Sequence, residues 1–166
     1  MKQESVVAIV NGLIEAGINF VALMPDSEFA KVQAQLHDHP DIRCVSVSNE
    51  AIGVALCAGA WLGGKMPALL IPTAGLLVAS WPLASICMAW GLPIILIIPY
   101  RGEMGDGFWV MRPYHYTTKR TLTTLQIPYS VVGKVSEVKE AISAARRSAA
   151  GWLHPTALIL TGEVVW

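Results

Sequence analysis

Residues 42–75 read IRCVSVSNEAIGVALCAGAWLGGKMPALLIPTAG, and this stretch decides the fold class. The run IRCVSV is β-branched and bounded by turn residues, which predicts a strand. From about Ser48 to Leu62 the sequence is rich in Ala and Leu and closes on Gly63-Gly64, which predicts a helix stopped by glycine, with Ser48 as its N-cap. The short apolar run ALLI then predicts a second strand, and PTAG a loop leading into another helix. A strand, a helix and a strand in so few residues form a crossover unit of a parallel sheet.

The same alternation extends in both directions. Upstream, Val6, Ile9, Val10 and Leu13 recur at helical spacing, Gly17 stops that helix, FVALM follows as a strand, and a helix is expected from about Phe29 to Leu36. Downstream come a small-residue helix from about Gly75 to Trp90 and the strand PIILII, whose unbroken apolar run suits a central position. A loop from Arg101 to Pro113, a helix ending near Gln126, the strand PYSVV, a helix through EVKEAISAARRSAA and the strand PTALIL complete the pattern. The expectation is one α/β domain over residues 1–166, a doubly wound, mostly parallel six-stranded sheet with helices on both faces. Ligands of such sheets meet the loops beyond the carboxyl ends of the strands, so PDS, SNE, PTAG and YRGEMGDGFW are where chemistry is sought.

Composition narrows the function. Twelve Lys and Arg balance twelve Asp and Glu, leaving no net field to draw in nucleic acid or an anionic membrane. Apolar residues reach 54% and charged residues only 14%, too little polar surface for a solitary globule, so a large subunit interface is expected. No charge occurs between Lys65 and Arg101, but five prolines cut that stretch into pieces too short to span a bilayer. The N-terminus lacks the pattern of a signal peptide, which makes the cytoplasm the expected location. Cys44, Cys57 and Cys87 are odd in number and lack CxxC spacing, which predicts buried, reduced thiols.

Glu50 admits two readings. Acidic residues are favoured in the first turn of a helix by its dipole and can simply stay solvated there. Alternatively, the small residues after it, Ala51, Gly53, Ala55, Ala58 and Gly59, let another helix or a flat ligand come close to a lone carboxyl. Asp26 is equally a turn and cap residue or part of a site. Arg101, at the end of a buried strand, can pair with an anionic substrate, bridge to a partner, or be neutralised by Glu103 or Asp106. His115, between two tyrosines, is either a packing residue or a proton carrier.

The strings VALMPDSEF (21–29), SNEAIGVALCAGAWLGGKMPALLIPTAGLL (48–77), GLPIILIIPYRGEMGD (91–106) and LQIPYSVV (125–132) carry a resemblance. In this order and spacing they resemble the sulfopyruvate decarboxylase alpha subunits and the matching domain of phosphonopyruvate decarboxylases, over nearly the whole chain. That resemblance implies a domain that binds the aminopyrimidine ring of thiamine diphosphate, with Glu50 as the catalytic residue bonded to the ring nitrogen. It places Thr73, Ala74 and Gly75 with Glu50 beside the cofactor, and Asp26, Ser27, Arg101 and His115 toward a small 2-oxo acid. Relatives more often carry an amide and a hydroxyl in the loop after the third strand, whereas here PTAG offers only Thr73.

Gly105-Asp106-Gly107 looks like the opening of the family's magnesium and diphosphate motif, but the asparagine that motif needs is absent from Gly133 to Glu140, so a loop turn is the better reading. No metal ligand is therefore assigned to this chain. The resemblance implies that Mg2+ and the diphosphate-binding domain come from a beta subunit in a hetero-oligomer. Sulfopyruvate is the first substrate expected, with phosphonopyruvate or another 2-oxo acid, decarboxylated or ligated, as alternatives. A noncatalytic scaffolding domain is the alternative from a different class.

Overall fold

The structure, a computed structural model, describes residues 1–166. Six strands alternate with six α-helices: α1 Gln3–Glu15, β1 Phe20–Leu23, α2 Ala30–His37, β2 Arg43–Ser46, α3 Glu50–Leu62, β3 Pro67–Leu70 and α4 Gly75–Pro82. The second half continues with β4 Ile95–Pro99, α5 Arg112–Thr124, β5 Tyr129–Val132, α6 Val138–Trp152 and β6 Thr156–Leu160. All pairings are parallel, in the order β2-β1-β3-β4-β6-β5. The doubly wound expectation holds, and the sheet is wholly rather than mostly parallel.

The direction of each crossover dictates which face its helix covers, because a βαβ connection is right-handed. Leftward steps, β1 to β2 and β5 to β6, put α2 and α6 on one face, where α1 joins them. Rightward steps, from β2 to β3, β3 to β4 and β4 to β5, put α3, α4 and α5 on the other. Strand side chains alternate accordingly. Val21, Leu23, Ile95 and Ile97 pack in the cluster under α1, α2 and α6, whereas Ala22, Leu69, Leu96 and Ile98 pack under α3, α4 and α5. β4, with every residue buried, lies between β3 and β6, as its apolar run requires. Each fully buried Ile or Leu there contributes about 1.5–3 kcal/mol.

Two local expectations are corrected. Asn49, not Ser48, caps α3: it is extended (φ −160°, ψ 166°), and its carboxamide oxygen accepts from the Ile52 N–H at 3.0 Å. The helix beginning at Gly75 is not uniform, because it passes at Pro82 into a π-helical stretch, Leu83–Met88. Proline offers no N–H to the carbonyl four residues back, and a wider turn re-seats the following bonds. All three cysteines are free. Cys57 and Cys87 are buried, and burial pushes the Cys87 thiol up to about 12, which leaves it protonated and inert. No helix is long and apolar enough to cross a membrane.

Candidate active site

β1 hands its chain to one face of the sheet and its neighbour β3 to the other, so a crevice opens beyond their carboxyl ends. Three loops frame it: Met24–Phe29 after β1, Ile71–Ala74 after β3, and the segment from Tyr100 after β4.

Glu50 is the first residue of α3 and only 7% exposed. Helix α3 lies close to β3 because Gly53 has no side chain; a Cβ there would stand 2.6 Å from Leu69 Cδ1. The Glu50 carboxyl rests on the start of α4 for the same reason. A Cβ on Gly75 would lie 2.3 Å from Glu50 Oε1 and 2.6 Å from its Cδ, so the carboxyl occupies the space an alanine would fill. No hydrogen bond or ion pair within the chain engages this carboxyl. The residue is largely buried, but its carboxyl oxygens keep contact with solvent at the crevice and are free to take a partner there.

Thr73 is buried, donates its hydroxyl to Pro99 O, and accepts from the Arg101 N–H at 3.1 Å, so it fastens the β3 loop to the end of β4. Ala74 and Gly75 follow it into the first turn of α4. Asp26 is half-buried and uses Oδ1 to accept from the Glu28 N–H at 2.8 Å, which shapes the turn after β1; Ser27 beside it is exposed. The Arg101 guanidinium makes a two-pronged pair with Asp106 (Nε to Oδ2 2.8 Å, Nη2 to Oδ1 3.1 Å) and reaches Glu28 Oε1 with Nη1 at 2.5 Å.

Asp106 also accepts from the N–H groups of Gly102 (2.8 Å) and Phe108 (3.0 Å). The hydrogen bonds from Arg101, then those two backbone donors, hold the Asp106 carboxyl well below the usual carboxylate range. Its place in the GDG sequence is thus that of a loop organiser. Gly102 makes that loop possible: its φ is +84°, and a Cβ there would meet Met111 O at 2.3 Å.

His115, on α5, stacks on Tyr100 with centroids 4.8 Å apart, while Nδ1 is buried without a hydrogen-bond partner. The Tyr100 hydroxyl donates to His115 O at 3.0 Å, which ties the histidine to the residue preceding Arg101. Thus Glu50 meets Gly75, and Thr73, Arg101 and Asp26 gather around the neighbouring loops; no hydrogen bond links Ser27 to either group. Glu28 was missed by sequence reasoning. Its only signal was a second acidic residue two places after Asp26 in PDSEF.

Two further features bear on assembly. Glu50, Thr73 and Arg101 line none of the five larger clefts of the lone chain. α3 and α4 expose Ile52, Leu56, Leu62, Leu77, Val78 and Trp81, with Leu62 at 74% and Trp81 at 75%; Glu50 is the one charged residue in these two helices, and Arg120 of α5 borders Leu77. No group of three or more His, Cys, Asp or Glu side chains converges on a metal-sized site.

No protein-family model matches the chain. Individual relatives do. The sulfopyruvate decarboxylase subunit alpha of Methanothermobacter thermautotrophicus is 31% identical over 86% of this chain and 86% of its own length. The chain belongs to the family of sulfopyruvate decarboxylase alpha subunits. The family member from Methanococcus maripaludis is 29% identical over 92% of both chains. The phosphonopyruvate decarboxylase of Streptomyces viridochromogenes is 28% identical over 95% of this chain, which spans only 40% of that longer protein. In fold, this alpha-subunit family member resembles a 2-oxoglutarate:ferredoxin oxidoreductase from Magnetococcus marinus solved with 2-oxoglutarate, coenzyme A and succinyl-CoA bound. The TM-score is 0.72 at 20% identity, over all of this chain and 30% of that one.

Proposed function

We propose that the chain is the pyrimidine-binding alpha subunit, one domain over residues 1–166, of a thiamine-diphosphate-dependent sulfopyruvate decarboxylase. Its reaction is 3-sulfopyruvate to sulfoacetaldehyde and carbon dioxide, with a beta subunit completing the site. The observation that carries this reading is Glu50, a largely buried residue whose carboxyl has no partner within the chain, at the crevice of a chain whose relatives are named sulfopyruvate decarboxylases.

The residues fit the cofactor's aminopyrimidine ring on two counts. Glu50 has a carboxyl with no partner in the chain, available to a ring nitrogen, and the missing side chain at Gly75 gives that carboxyl its seat. When bound, thiamine diphosphate supplies a thiazolium carbon nucleophile and an acceptor for the electron pair left as carbon dioxide departs. Glu50 would hold the pyrimidine nitrogen through a shared proton and so tune the basicity of the ring's exocyclic amine. Thr73, Ala74 and Gly75 would hold the ring, with Thr73 fastening that loop through Pro99 and Arg101. Asp26, Ser27 and His115 are assigned to the 2-oxo acid.

Mg2+ and the diphosphate are assigned to the beta subunit, because the asparagine of the magnesium motif is absent from Gly133 to Glu140 and Asp106 is engaged by Arg101. The exposed apolar side chains of α3 and α4 support docking of that subunit there. The three free thiols suit the reducing cytoplasm. Phosphonopyruvate is the second reading, favoured by the phosphonopyruvate decarboxylase relative that matches 95% of the chain. A noncatalytic scaffold has little use for a lone carboxyl seated against a close-packed helix.

Calorimetric titration with thiamine diphosphate and magnesium tests the shared site. The mixed complex is expected to bind saturably and the isolated chain only weakly; tight magnesium-dependent binding by the chain alone contradicts the proposal.

A further inference from the structure

The resemblance places Arg101 toward the anionic substrate, but its surroundings assign it other work. Its backbone N–H donates to Thr73 in the loop after β3. Its guanidinium grips Asp106 in the loop after β4 with two nitrogens and Glu28 in the turn after β1 with a third. Two aromatic rings also lie near it, with Arg101 Cζ 5.0 Å from the Trp166 ring centroid and 6.0 Å from that of Phe108. The side chain is only 13% exposed.

One residue thereby joins all three loops that frame the crevice. Charge points the same way. Around this single guanidinium stand three carboxylates, Asp106, Glu28 and Asp26, the last acting at longer range. A sulfonate arriving at Arg101 would have to displace Asp106, leaving that carboxylate beside a second anion without its cation, or Glu28, whose one other cation is the Met1 ammonium at 3.8 Å.

We infer that Arg101 is a positioning residue, locking the loops after β1, β3 and β4 into one platform, and that the anionic tail of the substrate is read by a different cation. This inference rests on the decarboxylase reading above. The planar fork is essential to it, since lysine cannot serve two prongs on Asp106 and a third contact on Glu28 together.

The test uses the reconstituted alpha–beta complex with sulfopyruvate, magnesium and thiamine diphosphate, comparing Arg101→Gln, Arg101→Lys and Asp106→Asn. A loosened platform places the reacting groups badly, so all three are expected to lose kcat by roughly 10- to 100-fold, with KM changed less than about threefold. The opposite split, KM up tenfold or more with kcat retained in Arg101→Gln, would overturn the inference. So would an Asp106→Asn complex that keeps its kcat, because that change frees the guanidinium without removing it.

Hydrogen exchange on Arg101→Gln reads the same claim without turnover. Amides of residues 25–29 and 102–111 should exchange faster together, and unchanged protection in both segments refutes the platform. A wild-type complex that releases no carbon dioxide counts against the decarboxylase reading alone, and hydrogen exchange still decides the role of Arg101.

Discussion

Replacing Glu50 by glutamine is expected to cut carbon dioxide release by the alpha–beta complex by roughly 10²–10⁴-fold, the range of a lost general acid–base contribution. Glutamine has the same shape, so it settles on Gly75 as the carboxyl does and disturbs neither the start of α3 nor its packing. It can still hydrogen-bond to a ring nitrogen. What it cannot do is pass a proton to that nitrogen and take it back. The loss should therefore fall on kcat, while the mass of the complex and its melting temperature stay close to wild type. Steady-state kinetics beside light scattering reads both, and full turnover in Glu50→Gln contradicts the role assigned to this residue.

Gly75→Ala carries the second large effect, and it touches no acid or base. Gly75 has an ordinary negative φ, so alanine fits the backbone and favours the helix it begins. Its Cβ, however, would lie 2.3 Å from Glu50 Oε1, and the carboxyl must swing away. Displacing a reacting group by about 1 Å is enough to cost roughly 10²-fold in rate. Activity should fall by that order in the complex while the isolated chain melts within a few degrees of wild type. Undiminished activity in Gly75→Ala would show that the seating of Glu50 against α4 does not matter.

Much of the scaffold was legible because local patterns and global topology agree. PIILII is apolar without interruption, and β4 is buried along its length between two neighbours. The α1 periodicity, with Gly17 at φ +72° just beyond the helix end, needed no tertiary information either. Where two adjacent residues could each cap a helix, as with Ser48 and Asn49, only the backbone turn decides between them. Pro82 was visible, but not that the helix would widen after it rather than stop.

The site was less legible than the scaffold. Periodicity alone left Glu50 as a first-turn acid, and it was the resemblance that marked it. Its contact with Gly75 joins residues 25 positions apart, which no local rule reports. For Arg101 the sequence offered Glu103 or Asp106 as neutralising partners. Asp106 takes that role, whereas Glu103 instead accepts from the Thr161 hydroxyl, and the third member, Glu28, lies 73 positions away. Long-range pairing of this kind is set by strand order, which follows from crossover direction only once the whole sheet is known.

The central claim is that this chain supplies one half of a decarboxylase site and cannot act without the other. Carbon dioxide release from sulfopyruvate, with thiamine diphosphate and magnesium present, tests it most directly when run on this chain, on its beta partner and on the two together. The account predicts release only from the pair, with phosphonopyruvate and pyruvate as poorer substrates. Release by this chain alone, or none from the pair on any of the three acids, would contradict it.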